Sequence, residues 1–197
     1  MAPIALAYHL ASRLAYVLYI GIALKRQEQS GYFTLRHGAE EGFRRFRRAA
    51  AVVMNNDAVS FIVLCLATRN TLPLELPRGL AIAAGAVLVL VGVCTKLWAA
   101  LTLGGGAYYW RNFFFSTDPV TPTARGPYRF LKNPMYTVGY LPLYGLALLV
   151  GSPFGLGAAL FDQAAILAFY RLVEKPHFER HASFWTGAPE ARRMEIP

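Results

Sequence analysis

Cysteine is nearly absent. The 197-residue chain has only Cys65 and Cys94, and each lies within an apolar block. They read as small buried residues, not as a disulfide or a metal pair. No Cys/His spacing supports a metal site. Acidic residues are also scarce: 11 Asp and Glu stand against 20 Lys and Arg, for a net charge of +9. Such an excess suits a nucleic-acid binder. Here, however, the cations flank long apolar runs, so they read as solvated loops beside anionic lipid, and nucleic acid is not an expected partner. A cleavable leader is not expected either. The first apolar block is long, and no small-residue cleavage site with a polar mature domain follows it.

What abounds is apolar. Hydrophobic residues make up 55% of the chain and the mean hydropathy is +0.35, against roughly 45–50% apolar in ordinary soluble domains. The blocks are long enough to predict an all-α, polytopic membrane bundle of about five transmembrane helices. The expected spans are 3–24, 49–67, 79–103, 135–151 and 154–170, the last two forming a C-terminal hairpin around Ser152-Pro153. One membrane domain, 1–197, is expected, with N-terminal helices and a basic interfacial segment in 1–78 and a core in 79–197. Within the basic connection 25–48, residues 40–51 suggest a short interfacial helix. Counting cations in alternate loops puts 25–48, 102–134 and 171–197 on the cytoplasmic side, with the N-terminus outside and the C-terminus inside.

Polar residues interrupt the spans. Arg13 lies with His9 and Ser12 in the first block. A charge at that depth is costly unless it snorkels to the interface or faces the bundle, where it would contact a headgroup or cofactor. Asn55, Asn56 and Asp57 interrupt the second block. They either line a cavity, bond another helix or break the span, and Asp57 is a possible partner for Arg13. Lys96 is placed to snorkel to the cytoplasmic face.

The organising stretch is 125–140, R-G-P-Y-R-F-L-K-N-P-M-Y-T-V-G-Y. Pro127 and Pro134 disfavour helix just before them, and Gly126 tolerates positive φ. Pro134 is expected near the first turn of the helix that follows, whose free N–H groups would suit a group of anionic character. Upstream lies Gly104-Gly105-Gly106, followed by Tyr108, Tyr109, Trp110 and Arg111; downstream lies R-L-V-E-K-P from Arg171.

G-P-Y-R-F-L-K-N-P-M-Y followed by G-Y resembles the signature of the integral-membrane methyltransferases that use S-adenosylmethionine. Isoprenylcysteine carboxyl methyltransferases and phospholipid N-methyltransferases belong to that superfamily, and the N-P-M-Y form is similar to the phosphatidylethanolamine methyltransferases. The likeness covers roughly residues 95–185. It implies a cytoplasmic cofactor site using Gly104 and Gly106, then Tyr128, Arg129, Asn133, Pro134, Met135 and Tyr136, and finally Arg171 and Glu174. Glu174 would take the cofactor's ammonium. Lys175 stands where the superfamily has a second Glu. Glu174, His177 and Tyr136 are the candidate catalytic residues, and His181 or a water relay could also serve as base. Of the tail histidines, a surface place is expected for both. Tyr109, Trp110, Arg111 and Arg125 are candidates for holding the acceptor: the rings for a methylated ammonium, the arginines for a phosphate. The implied reaction is methyl transfer to a membrane phospholipid, phosphatidylethanolamine first. Another acceptor, such as an isoprenylcysteine carboxylate or a small thiol, and a non-enzymatic membrane protein of the same fold remain open alternatives.

Overall fold

The computed structural model describes residues 2–73, 77–104, 108–115 and 125–180. These form helices and turns, with no strand among them. Helix α1 (Ala2–Ser30) is followed by the short α2 (Tyr32–His37) and by α3 (Ala39–Ala67). Next come α4 (Arg78–Leu103), 3₁₀ turns at Arg111–Phe113, Gly126–Arg129 and Val138–Tyr140, and α5 (Leu141–Val150). The described residues end with α6 (Pro153–Phe169), a π-turn (Tyr170–Glu174) and α7 (Lys175–Arg180). Helices α1, α3, α4 and the run Pro153–Arg180 are long and apolar enough to cross a bilayer, whereas the apolar helix Val138–Val150 is shorter.

The fourth expected span is therefore not one long helix. Gly126 stands at φ +54, where a Cβ would meet Trp98 Nε1 at 3.0 Å, so the motif begins against the C-terminal end of α4. Gly139 packs beside Lys96 and Gly92 beside Pro142, while Gly145 and Gly85 meet through their backbones. Residues 125–150 thus run antiparallel along α4, and glycines let the two backbones touch. The expected helix over 135–151 begins only at Leu141, and Pro142, not Pro134, occupies its first turn. Pro134 is fully buried, and its carbonyl accepts from the Gly139 N–H at 2.8 Å. The expected cradle of free N–H groups after Pro134 is absent for that reason. Irregular backbone at this depth is tolerated because protein, not lipid, surrounds it.

Other expectations change as well. The basic stretch 40–51 is no separate helix: α3 runs unbroken for 29 residues through it and through Asn55-Asn56-Asp57. It stays continuous because Asn55 bonds back to the Ala51 carbonyl and Asn56 reaches Ser12 and Tyr8 on α1. Arg13 does not snorkel. It is buried, with Asp162 accepting from Nε and Nη2, both at 2.8 Å, and with Asp57 2.7 Å away. Its guanidinium also donates to Tyr140, and His9 joins Asp162 to Ser60. The pairing of Arg13 with Asp57 agrees with the sequence reading. Asp162 is the partner it missed.

At one end of the bundle Asn70, Thr71 and Leu72 donate to the Val150 and Gly151 carbonyls, and Thr68 bonds Ser152. At the other end Glu28 meets His177 and Arg180, and Gln27 reaches the Phe113 carbonyl. Both motifs of interest lie at this second end.

Removing one partner of a buried ion pair costs about 3–5 kcal/mol, because the other charge is left unpaired. Arg13→Ala is expected to destabilise the bundle by that order, and Arg13→Lys to recover only part of it, since a point charge cannot replace the two-pronged contact with Asp162. Thermal unfolding in detergent checks this; an unchanged midpoint for Arg13→Ala would contradict the role.

Candidate active site

Pro176 explains the local structure around Glu174. A proline inside a helix removes one backbone hydrogen bond and crowds the carbonyl four residues back. Here the turn before it is widened: the Lys175 N–H bonds the Tyr170 carbonyl, the i−5 pattern of a π-turn. Such turns are rare and often mark functional sites. This one rotates Glu174 inward while leaving Arg171 exposed.

Glu174 is 6% exposed. Its carboxylate accepts from Trp110 Nε1–H in a short contact and from the Tyr136 hydroxyl at 2.6 Å. Both donors are neutral, and no ion pair reaches the carboxylate among the described residues. The Tyr128 phenol lies within electrostatic reach of the same charge. A carboxylate buried among neutral donors has no opposite charge beside it when ionised, and an ammonium would supply one. The donors come from separate segments. Trp110 sits at φ +58 before the 3₁₀ turn Arg111–Phe113, and Tyr136 follows the turn in which the Asn133 carbonyl accepts from the N–H groups of Tyr136 and Thr137.

The structure thus brings together Glu174, Tyr136, Trp110 and, by field, Tyr128. Asn133 shapes the turn with its backbone, Pro134 is buried, and Met135 is half-buried. Arg125 and Arg129 are exposed, Arg129 over the Phe130 ring, and Arg111 lies 4.1 Å from the Phe115 ring. Gly104 caps α4 at φ +79 with nothing within 4 Å of a would-be Cβ. Gly106 and His181 lie outside the described residues. His177 is not a surface residue. It is buried, with Nδ1 2.9 Å from Glu28 and its ring stacked on Phe113 at 3.7 Å, so that nitrogen is committed to joining α7 to α1.

The aromatic run divides. The Trp110 ring packs edge-on against Phe46 and Phe169 in the core. Tyr108 and Tyr109 instead line a cavity of about 340 Å³, together with Tyr16, Tyr140, Arg13, Asp57 and Lys96. Lys96 therefore points inward, contrary to the snorkelling expected, and its ammonium lies 5.3 Å from the centre of the Tyr140 ring. A second, more open cavity of about 470 Å³ shares Lys96, Tyr108 and Tyr109 and extends past Leu97, Ala100, Leu101 and Gly104. Sequence reasoning missed Asp162, Lys96 and Tyr140 as members of this interior. A lone carboxylate and a lone cation inside apolar helices were the signal.

Residues 80–182 match the model of the phospholipid methyltransferase family. Similar curated proteins are named phosphatidylethanolamine N-methyltransferase. That of Talaromyces marneffei is 36% identical over 137 residues, 68% of this chain and 14% of the relative. That of Aspergillus flavus is 34% identical over 164 residues, 77% and 17% of the two chains. That of Pyrenophora tritici-repentis is 30% identical over 199 residues, 95% and 22%. The chain thus spans under a quarter of the length of these relatives. No solved structure matches. The matched residues run from α4 to just past α7 and contain both the 125–140 motif and the Glu174 turn, and on that ground the chain belongs to the phospholipid methyltransferase family.

Proposed function

We propose that the protein is a multi-pass membrane enzyme that transfers a methyl group from S-adenosylmethionine to the amine of phosphatidylethanolamine. The observation that carries this reading is Glu174, a buried carboxylate with two neutral donors and no cation among the described residues, in a chain of the phospholipid methyltransferase family. The cofactor supplies a methyl group on a sulfonium. Glu174 would hold its α-ammonium, with Trp110 and Tyr136 fixing the carboxylate for that contact. Gly104, with open space in front of its Cα, would let a ligand approach the backbone, and Tyr128, Arg129 and Asn133 would meet it from the motif. Gly106 and Arg171 complete the set by resemblance.

The chain's share of the chemistry is proximity and exclusion of water. The acceptor's amine must lose a proton before it attacks. Glu174 in its buried position and His177, committed through Nδ1, are both engaged elsewhere, so a relay through water is the reading we favour for that proton. Arg111 and Arg125 would meet lipid phosphate at the end of the bundle that holds the motifs. We place that end in the cytoplasm, with the N-terminus outside and the C-terminus inside, because the loops there carry most of the cations.

Glu174→Gln keeps both hydrogen bonds but removes the charge. It should weaken S-adenosylmethionine binding by about 1.5–3 kcal/mol, the range for a charge-assisted hydrogen bond. Calorimetric titration of the purified variant reads this directly, and an unchanged affinity would remove Glu174 from the site. The functional reading itself is tested by incubating the protein with radiolabelled methyl donor and defined lipids. Label is expected in phosphatidylethanolamine; label only in a carboxylate or thiol acceptor would replace the reading with that alternative.

A product with more methyl groups is a softer, less hydrated cation, attracted by a π-face by about 0.5–2 kcal/mol per good contact. Tyr109 faces the cavity, so Tyr109→Ala should lower the di- and trimethylated products more than the monomethylated one. Trp110→Ala, in the core and on Glu174, should lower all three together. Mass spectrometry of product lipids separates the two patterns; equal loss at every step in Tyr109→Ala would make that ring structural.

A further inference from the structure

The cavity beneath Tyr108 and Tyr109 holds two charges the fold leaves incomplete. Asp57 is 4% exposed and gives Oδ2 to Arg13, 2.7 Å away. Its other oxygen, Oδ1, is buried without a hydrogen-bond partner among the described residues. A carboxylate oxygen in that state is costly and needs a donor. Arg13 does not supply it, since Nε and Nη2 are on Asp162 and Nη1 donates to Tyr140. Lys96 is the second charge. No carboxylate of the described residues lies within ion-pair distance of it, although the charge of Asp57, which lines the same cavity, acts on it, and its ammonium rests near the Tyr140 ring. Asp57 and Lys96 both line the cavity of about 340 Å³, toward the small end of the roughly 300–1,000 Å³ typical of ligand sites.

We propose that this cavity seats a phosphoethanolamine-type zwitterion, its ammonium on Asp57 Oδ1 and its phosphate facing Lys96. The proposal rests on the reading of the protein as a phospholipid N-methyltransferase and adds the residues that choose the acceptor. The ligand's charges match the open groups in sign: its ammonium meets Asp57 Oδ1, the atom that Arg13 leaves without a donor, and its phosphate meets Lys96. Tyr16, Tyr108, Tyr109 and Tyr140 supply rings around the nitrogen. The acceptor enters as a lipid and not as a soluble headgroup, because the adjoining cavity of about 470 Å³ begins at Lys96 and continues along apolar Leu97, Ala100 and Leu101. Leu97 and Leu101 are exposed on the outside of α4, where acyl chains would lie. The site also adjoins the Glu174 carboxylate: Tyr109 and Tyr140 line the cavity, while Trp110 and Tyr136 of the same two segments hold Glu174. Asp57 and Lys96 are thus binding residues for the acceptor and take no part in holding the cofactor.

The test is acceptor kinetics on the purified, full-length protein in mixed vesicles of phosphatidylethanolamine and phosphatidylcholine, with cofactor affinity measured in parallel. Lys96→Gln is expected to raise the KM for phosphatidylethanolamine about tenfold, a change of roughly 1.4 kcal/mol, with kcat within about twofold and cofactor affinity unchanged. Lys96→Arg should restore most of the KM. Asp57→Asn should raise KM similarly; if that variant does not fold, because Arg13 loses a partner, the two Lys96 variants decide alone. Soluble phosphoethanolamine added as a competitor should not inhibit at concentrations comparable to the lipid, and competitive inhibition by it would overturn the lipid assignment. An unchanged KM in Lys96→Gln and in folded Asp57→Asn, in an enzyme whose wild type methylates phosphatidylethanolamine, overturns this proposal alone. A wild type that binds cofactor but leaves phosphatidylethanolamine unmethylated overturns the functional reading and this proposal with it.

Discussion

A cation cannot stay inside an apolar bundle without opposite charge around it, and Arg13 is where this bundle meets that requirement. Its guanidinium draws Asp162 from α6 and Asp57 from α3 to α1, and donates to Tyr140 at the start of α5. Four passages through the bundle are thereby keyed to one point. Burying the ions is costly by itself, so this network specifies the arrangement of helices more than it stabilises them. It also fixes what lies beside it. Tyr140 is held over the cavity, and Tyr136, one turn earlier in the chain, faces Glu174.

The second constraint is backbone chemistry. Prolines 127, 134 and 142 prevent residues 125–150 from forming one membrane helix, and the segment instead follows α4 as turns before its short helix. Lipid could not satisfy the peptide groups of such a path, whereas internal turn hydrogen bonds, shielded by packing against α4, do. Pro176 acts similarly on the last helix, where a π-turn aims Glu174 inward. In both places a residue that disrupts helix puts a polar side chain in the interior at the same end of the bundle.

Much of this was legible from sequence. Apolar block lengths marked α1, α3, α4 and α6. Arg13 and Asp57 are legible as possible partners, because both are charges that need burial with an opposite sign. The rest was not legible for definable reasons. Proline indicates where regular helix fails but not what replaces it, so the delayed start at Leu141 was missed. The partnership of Asp162 with Arg13 depends on the depth and rotation of α6, which no local pattern reveals. Lys96 has a stem long enough either to snorkel or to turn inward, and only the position of Tyr140 and the adjoining cavity selects the latter. His177 looked like a tail residue because α7 continues the last helix across Pro176, and nothing local showed that it folds against Glu28.

The central claim is that the Glu174 turn, Gly104 and the 125–136 motif form one cofactor site at the end of the bundle shared with Glu28 and Gln27. A density map of the protein with bound S-adenosylhomocysteine tests it most directly. The account predicts the ligand's amino group against the Glu174 carboxylate, with Tyr128 and Gly104 alongside. A ligand bound at the opposite end, near Thr68 and Gly151, or one that leaves Glu174 with only Trp110 and Tyr136 as partners, would contradict it.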